Sequence, residues 1–187
     1  ASPLGKVKGW SSCSKEVISS PEMGIREEWR KKDKAHGFSA VAFYFGRKLY
    51  KETGVPIGII ASARGGSPIE AWIPKCGYVG IKELEKEMMA LDRVKIRNFQ
   101  DPLSLYNGMI HGFVPFGIKG VVWYQGEANV LNGPKLYSKK MEALINGWRK
   151  LWGNDKLPFI FTEICPFKYN RGQDLPRLWE EQQKSLK

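Results

Sequence analysis

Two short stretches of this chain carry side chains and backbone that could stabilise negative charge. The first is Ser62-Ala63-Arg64-Gly65-Gly66-Ser67, a tight turn in which Gly65 and Gly66 lack Cβ, so that a backbone N–H can approach a ligand oxygen closely. The second is Lys119-Gly120-Val121-Val122-Trp123-Tyr124-Gln125-Gly126-Glu127-Ala128-Asn129, an apolar run that stops in a polar, glycine-containing loop. At its end the Gln125 carboxamide can donate from a rigid position. Together Gly66 and Gln125 sketch an oxyanion hole, in which each donor is typically worth about 10²–10³ in rate. The plainer reading stands beside it: a Gly-Gly turn often only turns the chain, and a lone Gln after a strand often caps a loop. Glu127 is placed to orient the loop or to pair with a base such as Arg64, and Asn129 to hold the same turn.

Those residues need elements to position them. Phe38, Val41, Ala42, Phe45 and Leu49 recur at helical spacing, with Ser39 placed as cap, and predict a core-packing helix ending near Gly54. Residues 57–61, apolar and β-branched, predict a buried strand, followed by the Gly65-Gly66 turn and a short helix over 68–72 that has Pro68 near its start. A charged amphipathic helix is expected over 81–91 and a helix over 103–114, the latter weakened by Gly108 and Gly112. The run 118–124 predicts a second strand. Tyr137, Met141, Leu144, Ile145, Trp148 and Trp152 then form one long helical stripe between Gly133-Pro134 and Gly153-Asn154. Residues 158–164 predict a third buried strand and 175–186 a last helix; residues 1–35 read mostly as loop.

Strands alternating with helices imply βαβ units and a parallel sheet. Ligands of open α/β sheets bind at the carboxyl ends of the strands, so the loops beginning at Ser62, Gln125 and Cys165 are expected at one edge.

Composition narrows the classes. The 187 residues are 42% apolar, enough for one core and one domain over 1–187. The apolar runs fall far short of the roughly 20 residues of a membrane span, and no charged-then-apolar leader opens the chain, so neither a span nor a signal peptide is expected. Ala1 rather than Met fits a processed chain or a piece of a longer one. The net charge of +11 comes from 30 Lys and Arg scattered among 19 acids, which reads as a solvated basic face rather than a nucleic-acid surface. Cys13, Cys76 and Cys165 are odd in number and lack C-x-x-C spacing, so no zinc site or disulfide framework is indicated.

An ordered series of phrases then carries a resemblance. Phe38-Ser39-Ala40-Val41-Ala42-Phe43-Tyr44-Phe45-Gly46-Arg47, Gly54-Val55-Pro56-Ile57-Gly58, Gly65-Gly66-Ser67-Pro68-Ile69-Glu70-Ala71-Trp72, Leu105-Tyr106-Asn107-Gly108-Met109-Ile110 and Trp123-Tyr124-Gln125-Gly126-Glu127 occur in that order. The series, continuing through Trp148-Arg149, Pro158-Phe159 and the helix from Trp179, resembles the sialate O-acetylesterase family of SGNH-type carbohydrate esterases over roughly residues 10–187.

The resemblance implies a three-layer α/β/α fold, incomplete in this chain, and an acetylated carbohydrate as substrate. It implies no metal or cofactor, and a secreted, periplasmic or lysosomal location. It implies a serine acyl-enzyme mechanism in which Gly66, with Gly65 beside it, and Gln125 form the oxyanion hole.

Departures from the family pattern are specific. The Gly-Gln-Ser-Asn-type nucleophile phrase and the downstream Asp-x-x-His pair have no counterpart here. Asp33-Lys34-Ala35-His36 has the spacing but precedes the first matched helix, and His111 falls in the helix over 103–114. Ser62 and Ser67 read as loop-stabilising hydrogen-bonders, and Ala128 replaces the serine usual after the Trp-Tyr-Gln-Gly-Glu phrase. The chain is therefore expected to supply the oxyanion-hole loops and, alone, to be inactive. A carbohydrate-binding relative without a triad is the alternative.

Overall fold

A computed structural model of the chain describes residues 39–169 and 174–185. The expectations for residues 1–35, Phe38, His36 and Cys13 lie outside the described residues. The described part forms two compact units, 39–64 and the remainder.

The smaller unit is built on helix α1, Ala40–Thr53. Ser39 caps it as predicted, its hydroxyl accepting from the Ala42 N–H at 3.3 Å, and Gly54 closes it in the left-handed conformation. The expected core-facing stripe is not buried: Val41 is 41% exposed, Leu49 is exposed, and Gly46 alone of the helix is buried. An apolar stripe becomes core only where a second layer covers it, and among the described residues Ile57 and Ile59 approach the helix at Gly46. The strand expected over 57–61 is likewise not formed; Ile60 makes a single bridge. A strand exists through a ladder, and β propensity alone does not supply its partner.

The larger unit is organised around a long helix. Helix α2, Glu85–Leu91, follows a 3₁₀ turn over Lys82–Leu84, and together they occupy the predicted 81–91 segment. Strand β1, Val121–Trp123, leads through α3, Glu127–Asn132, and α4, Tyr137–Trp152, to strand β2, Phe159–Phe161. Helix α5, Asp174–Lys184, completes the order. The strands pair in parallel, Val121 with Phe159 and Trp123 with Phe161, so this is the βαβ unit read from the pattern.

Among the described residues the ladder has two strands rather than the three expected, and β2 is not buried as predicted: Ile160 is 47% exposed. Paired with β1 alone among the described residues, β2 has no strand on its far side to bury it. The architecture is α/β, helix-rich around a small parallel sheet.

The core lies along α4. Tyr137, Met141, Ala143, Leu144, Gly147 and Trp148 are buried, and Gly153 ends the helix in the left-handed conformation. Trp148 donates its indole N–H to the Trp72 carbonyl at 3.1 Å, locking α4 to the short 3₁₀ helix Ile69–Trp72. Trp123 stands edge-on between Trp72 and Trp148, at 6.1 and 6.5 Å between ring centroids. This tryptophan core fixes the end of β1 against the segment that follows the glycine turn.

The segment over 103–114 is helical but irregular. A π-helical stretch, Tyr106–Ile110, passes into a 3₁₀ turn, His111–Phe113. Gly108 and Gly112 are the residues that weaken a regular helix there.

Candidate functional site

Gly66 has φ +74 and lies exposed in its turn, with open space where a Cβ would stand. A residue with a Cβ is strained in that conformation, so the turn selects glycine by backbone shape. Its carbonyl accepts from Gln100 Nε2 at 2.9 Å. Ser67, buried, accepts the Trp72 indole N–H on its hydroxyl at 3.0 Å, the loop-stabilising role expected of it. Pro68 then leads into the 3₁₀ helix, as predicted.

Gln125 sits just past β1 and is 7% exposed. Its Nε2 donates to the Ser67 carbonyl at 2.9 Å and to Asn129 Oδ1 at 2.8 Å. The Gly-Gly-Ser turn and the strand-end glutamine, 58 residues apart, are thus hydrogen-bonded to one another. Both N–H groups of the carboxamide are committed, so Gln125 stands here as a brace of the turn. Its Oε1 accepts from the Tyr137 hydroxyl at 2.8 Å, and its backbone carbonyl lies 3.0 Å from that hydroxyl and 3.3 Å from Gln182 Nε2.

Asn129, on α3 and 2% exposed, ties the two loops together. Its Oδ1 accepts the Ile69 N–H at 3.0 Å as well as Gln125, while Nδ2 donates to Glu70 Oε2 at 3.0 Å. Glu70 in turn takes Lys140 Nζ at 2.6 Å, and Glu87 lies 3.6 Å from the same ammonium. Glu127 is exposed, and its carboxylate accepts the Gly126 N–H at 3.1 Å, orienting the loop. Gly126 is buried where a Cβ would fall 2.8 Å from Leu178 of α5 and 2.9 Å from Ile164, so a larger residue there would push these side chains aside.

Burial, with smaller contributions from Glu70 and Glu127, pushes the Tyr137 hydroxyl well above its ordinary pKa, although bonds from Trp123 and Gln182 oppose the rise. The group stays protonated and serves as a donor to Gln125. Tyr124 is raised first by its hydrogen bond to Cys165, at 3.3 Å, and then by burial.

Gln125 and Asn129 are therefore bonded to each other and to Ser67 and Ile69, which follow Gly66 in the chain, with Glu127 beside them on the loop. His111 is exposed and paired with the Tyr106 hydroxyl at 3.1 Å, as suits a surface histidine. Cys76 and Cys165 are free thiols, and burial first of all raises that of Cys76. Among the described residues no three His, Cys, Asp or Glu side chains cluster as for a metal ion, and no helix is long and apolar enough to cross a membrane.

Sequence reasoning missed Tyr137, Glu70, Lys140 and Gln182. Tyr137 was counted in the apolar stripe of α4, and the signal available was its hydroxyl, which a buried position obliges to find a partner.

These features define a class of protein, an α/β chain whose glycine turn and strand-end carboxamide meet beside a small parallel sheet. Comparison with known proteins makes it particular. The family described as carbohydrate esterase, sialic acid-specific acetylesterase matches residues 17–187, and the chain belongs to that family. Among curated relatives, the sialate O-acetylesterase of Homo sapiens is 38% identical over 124 residues, covering 62% of this chain and 22% of that protein. The sialate O-acetylesterase of Pongo abelii is 40% identical over 119 residues, with the same coverage of 62% and 22%. That of Rattus norvegicus is 34% identical over 168 residues, covering 73% of this chain and 31% of the relative. The chain thus spans between about a fifth and a third of the length of the relatives it matches.

Proposed function

We propose that the chain contributes the oxyanion-hole loops to an enzyme that removes acetyl groups from sugar hydroxyls, sialic acid among them, in a compartment outside the cytosol. The supporting observation is the bond from Gln125 Nε2 to the Ser67 carbonyl, which seats the two family phrases side by side. Among the described residues the exposed Gly66 N–H makes no hydrogen bond, so it is the donor ready for a developing oxyanion. Gln125 becomes the second donor by exchanging the Ser67 carbonyl for that oxygen.

The nucleophilic serine and the histidine that activates it come from segments with no counterpart in this sequence, within a three-layer α/β/α sheet that the βαβ unit extends.

A chimera in which this chain's family-matched residues 17–187 replace the corresponding family segment of the rat sialate O-acetylesterase, whose alignment covers 73% of this chain, tests this reading. The chimera is expected to release acetate from an O-acetylated sialic acid. In it, Gln125→Ala should lower kcat by about 10²–10³ if the carboxamide donates in the transition state. A folded chimera without turnover would refute the proposal.

A further inference from the structure

From Tyr137 through Gln125 and Asn129, each hydrogen bond is donated toward the Glu70 carboxylate, which Lys140 meets from the other side. Lys140 Nζ, which can only donate, meets Glu70 Oε1 at 2.6 Å. Glu70 Oε2, a carboxylate oxygen that can only accept, takes its bond from Asn129 Nδ2 at 3.0 Å. With Nδ2 turned to the carboxylate, Asn129 Oδ1 faces the other way, where the Ile69 N–H and Gln125 Nε2 both donate to it. Gln125 Nε2 is thereby turned toward Asn129 and the Ser67 carbonyl, and its Oε1 is left for the Tyr137 hydroxyl. The oxygen and nitrogen of a carboxamide differ little in shape, so polarity decides the orientation. A reversed Asn129 would set its oxygen against the carboxylate and its NH₂ against two donors.

We propose that Glu70 and Asn129 are positioning residues that fix the direction in which the Gln125 carboxamide faces. Glu70, itself held by Lys140, and the Ile69 N–H set the polarity of Asn129 from its two ends; Asn129 and the Ser67 carbonyl then hold the Gln125 NH₂ toward the glycine turn. The hydrogen-bonded path from Lys140 and Glu70 to Gln125 runs through Asn129. The catalytic meaning of this relay rests on the reading of Gln125 above, whereas the direction of the carboxamide is a property of the folded chain.

The test is reciprocal exchange of the two polar groups, read on the side-chain NH₂ resonances of Gln125 in the nitrogen-15-labelled 187-residue chain. Asn129→Asp sets a second carboxylate against Glu70. It is expected to collapse the dispersion of the Gln125 pair and to speed its exchange with solvent at least tenfold. Adding Glu70→Gln should restore the original signature, because the introduced amide donates to the introduced carboxylate while its oxygen still accepts from Lys140.

A double variant no better than Asn129→Asp, or an Asn129→Asp chain whose Gln125 pair is unchanged, would overturn the proposal. Should Asn129→Asp not fold, the double variant decides alone: a folded chain with the wild-type Gln125 pair supports the relay, and failure to fold refutes it. A role confined to general stability predicts additive losses instead of rescue. Failure of the chimera would leave this result untouched, so the two proposals fail separately.

Discussion

Gly66 holds φ +74 in a turn with room for a side chain, so its constraint is conformational and not steric. Gly66→Ala should therefore destabilise the larger unit by about 1 kcal/mol, measured as a lowered urea midpoint; an unchanged midpoint would show that the turn relaxes freely. Gly66, Gln125 and Asn129 were legible in the sequence because local chemistry singles them out: a glycine pair, and two carboxamides next to a strand end. Their partners were not legible. Glu70 reaches Asn129 across 59 residues and Lys140 across 70, distances at which spacing carries no signal. The commitment of both Gln125 N–H groups was equally hidden, since it depends on where the Ser67 carbonyl points.

The elements were readable where they are long and periodic. The stripe from Tyr137 to Trp152 marks α4 to its ends, because a periodic face bounded by Gly-Pro and Gly-Asn overrides local ambiguity. Residues 57–61 form no strand, and 158–164 form one at 159–161 that is not buried, because strand pairing and burial are supplied by neighbours. The start of α4 shows the same dependence. Leu136 gives the helix no side-chain cap, and Glu181 of α5 supplies one instead, accepting the Ser138 N–H at 3.1 Å and its hydroxyl at 2.7 Å.

Burial pushes the Glu181 carboxyl up, but hydrogen bonds from Lys184 and Ser138 outweigh it and hold the group below its ordinary pKa. A folded-state value below the unfolded one means the stabilisation is complete above the ordinary carboxylate range and is lost as pH falls through the folded value. Glu181→Gln is accordingly expected to cost about 1 kcal/mol near pH 7, the scale of a lost helix cap, with the gap to wild type closing in acid. Thermal melts of both chains across pH check it. A gap that persists undiminished at low pH would assign the loss to packing.

For the whole molecule, family membership was readable from the ordered phrases, and the match over residues 17–187 bears it out. What the sequence contains and lacks together set the expectation for the isolated chain. It carries the turn and the carboxamide proposed above to receive charge, and no phrase that matches the family's nucleophile. Incubated with p-nitrophenyl acetate it should show no turnover above background, and a fluorophosphonate probe should label no serine. A labelled serine within residues 1–187 would overturn that expectation.

Gln125 lies near the midpoint of the polar connections it makes. It bonds to Ser67, 58 residues earlier, and accepts from Gln182, 57 residues later. Each bond closes a long loop and carries its own closure entropy. No short segment cut from this chain can hold the carboxamide in place. Holding it takes a segment from each side of the sequence, the glycine turn before it and α5 after it.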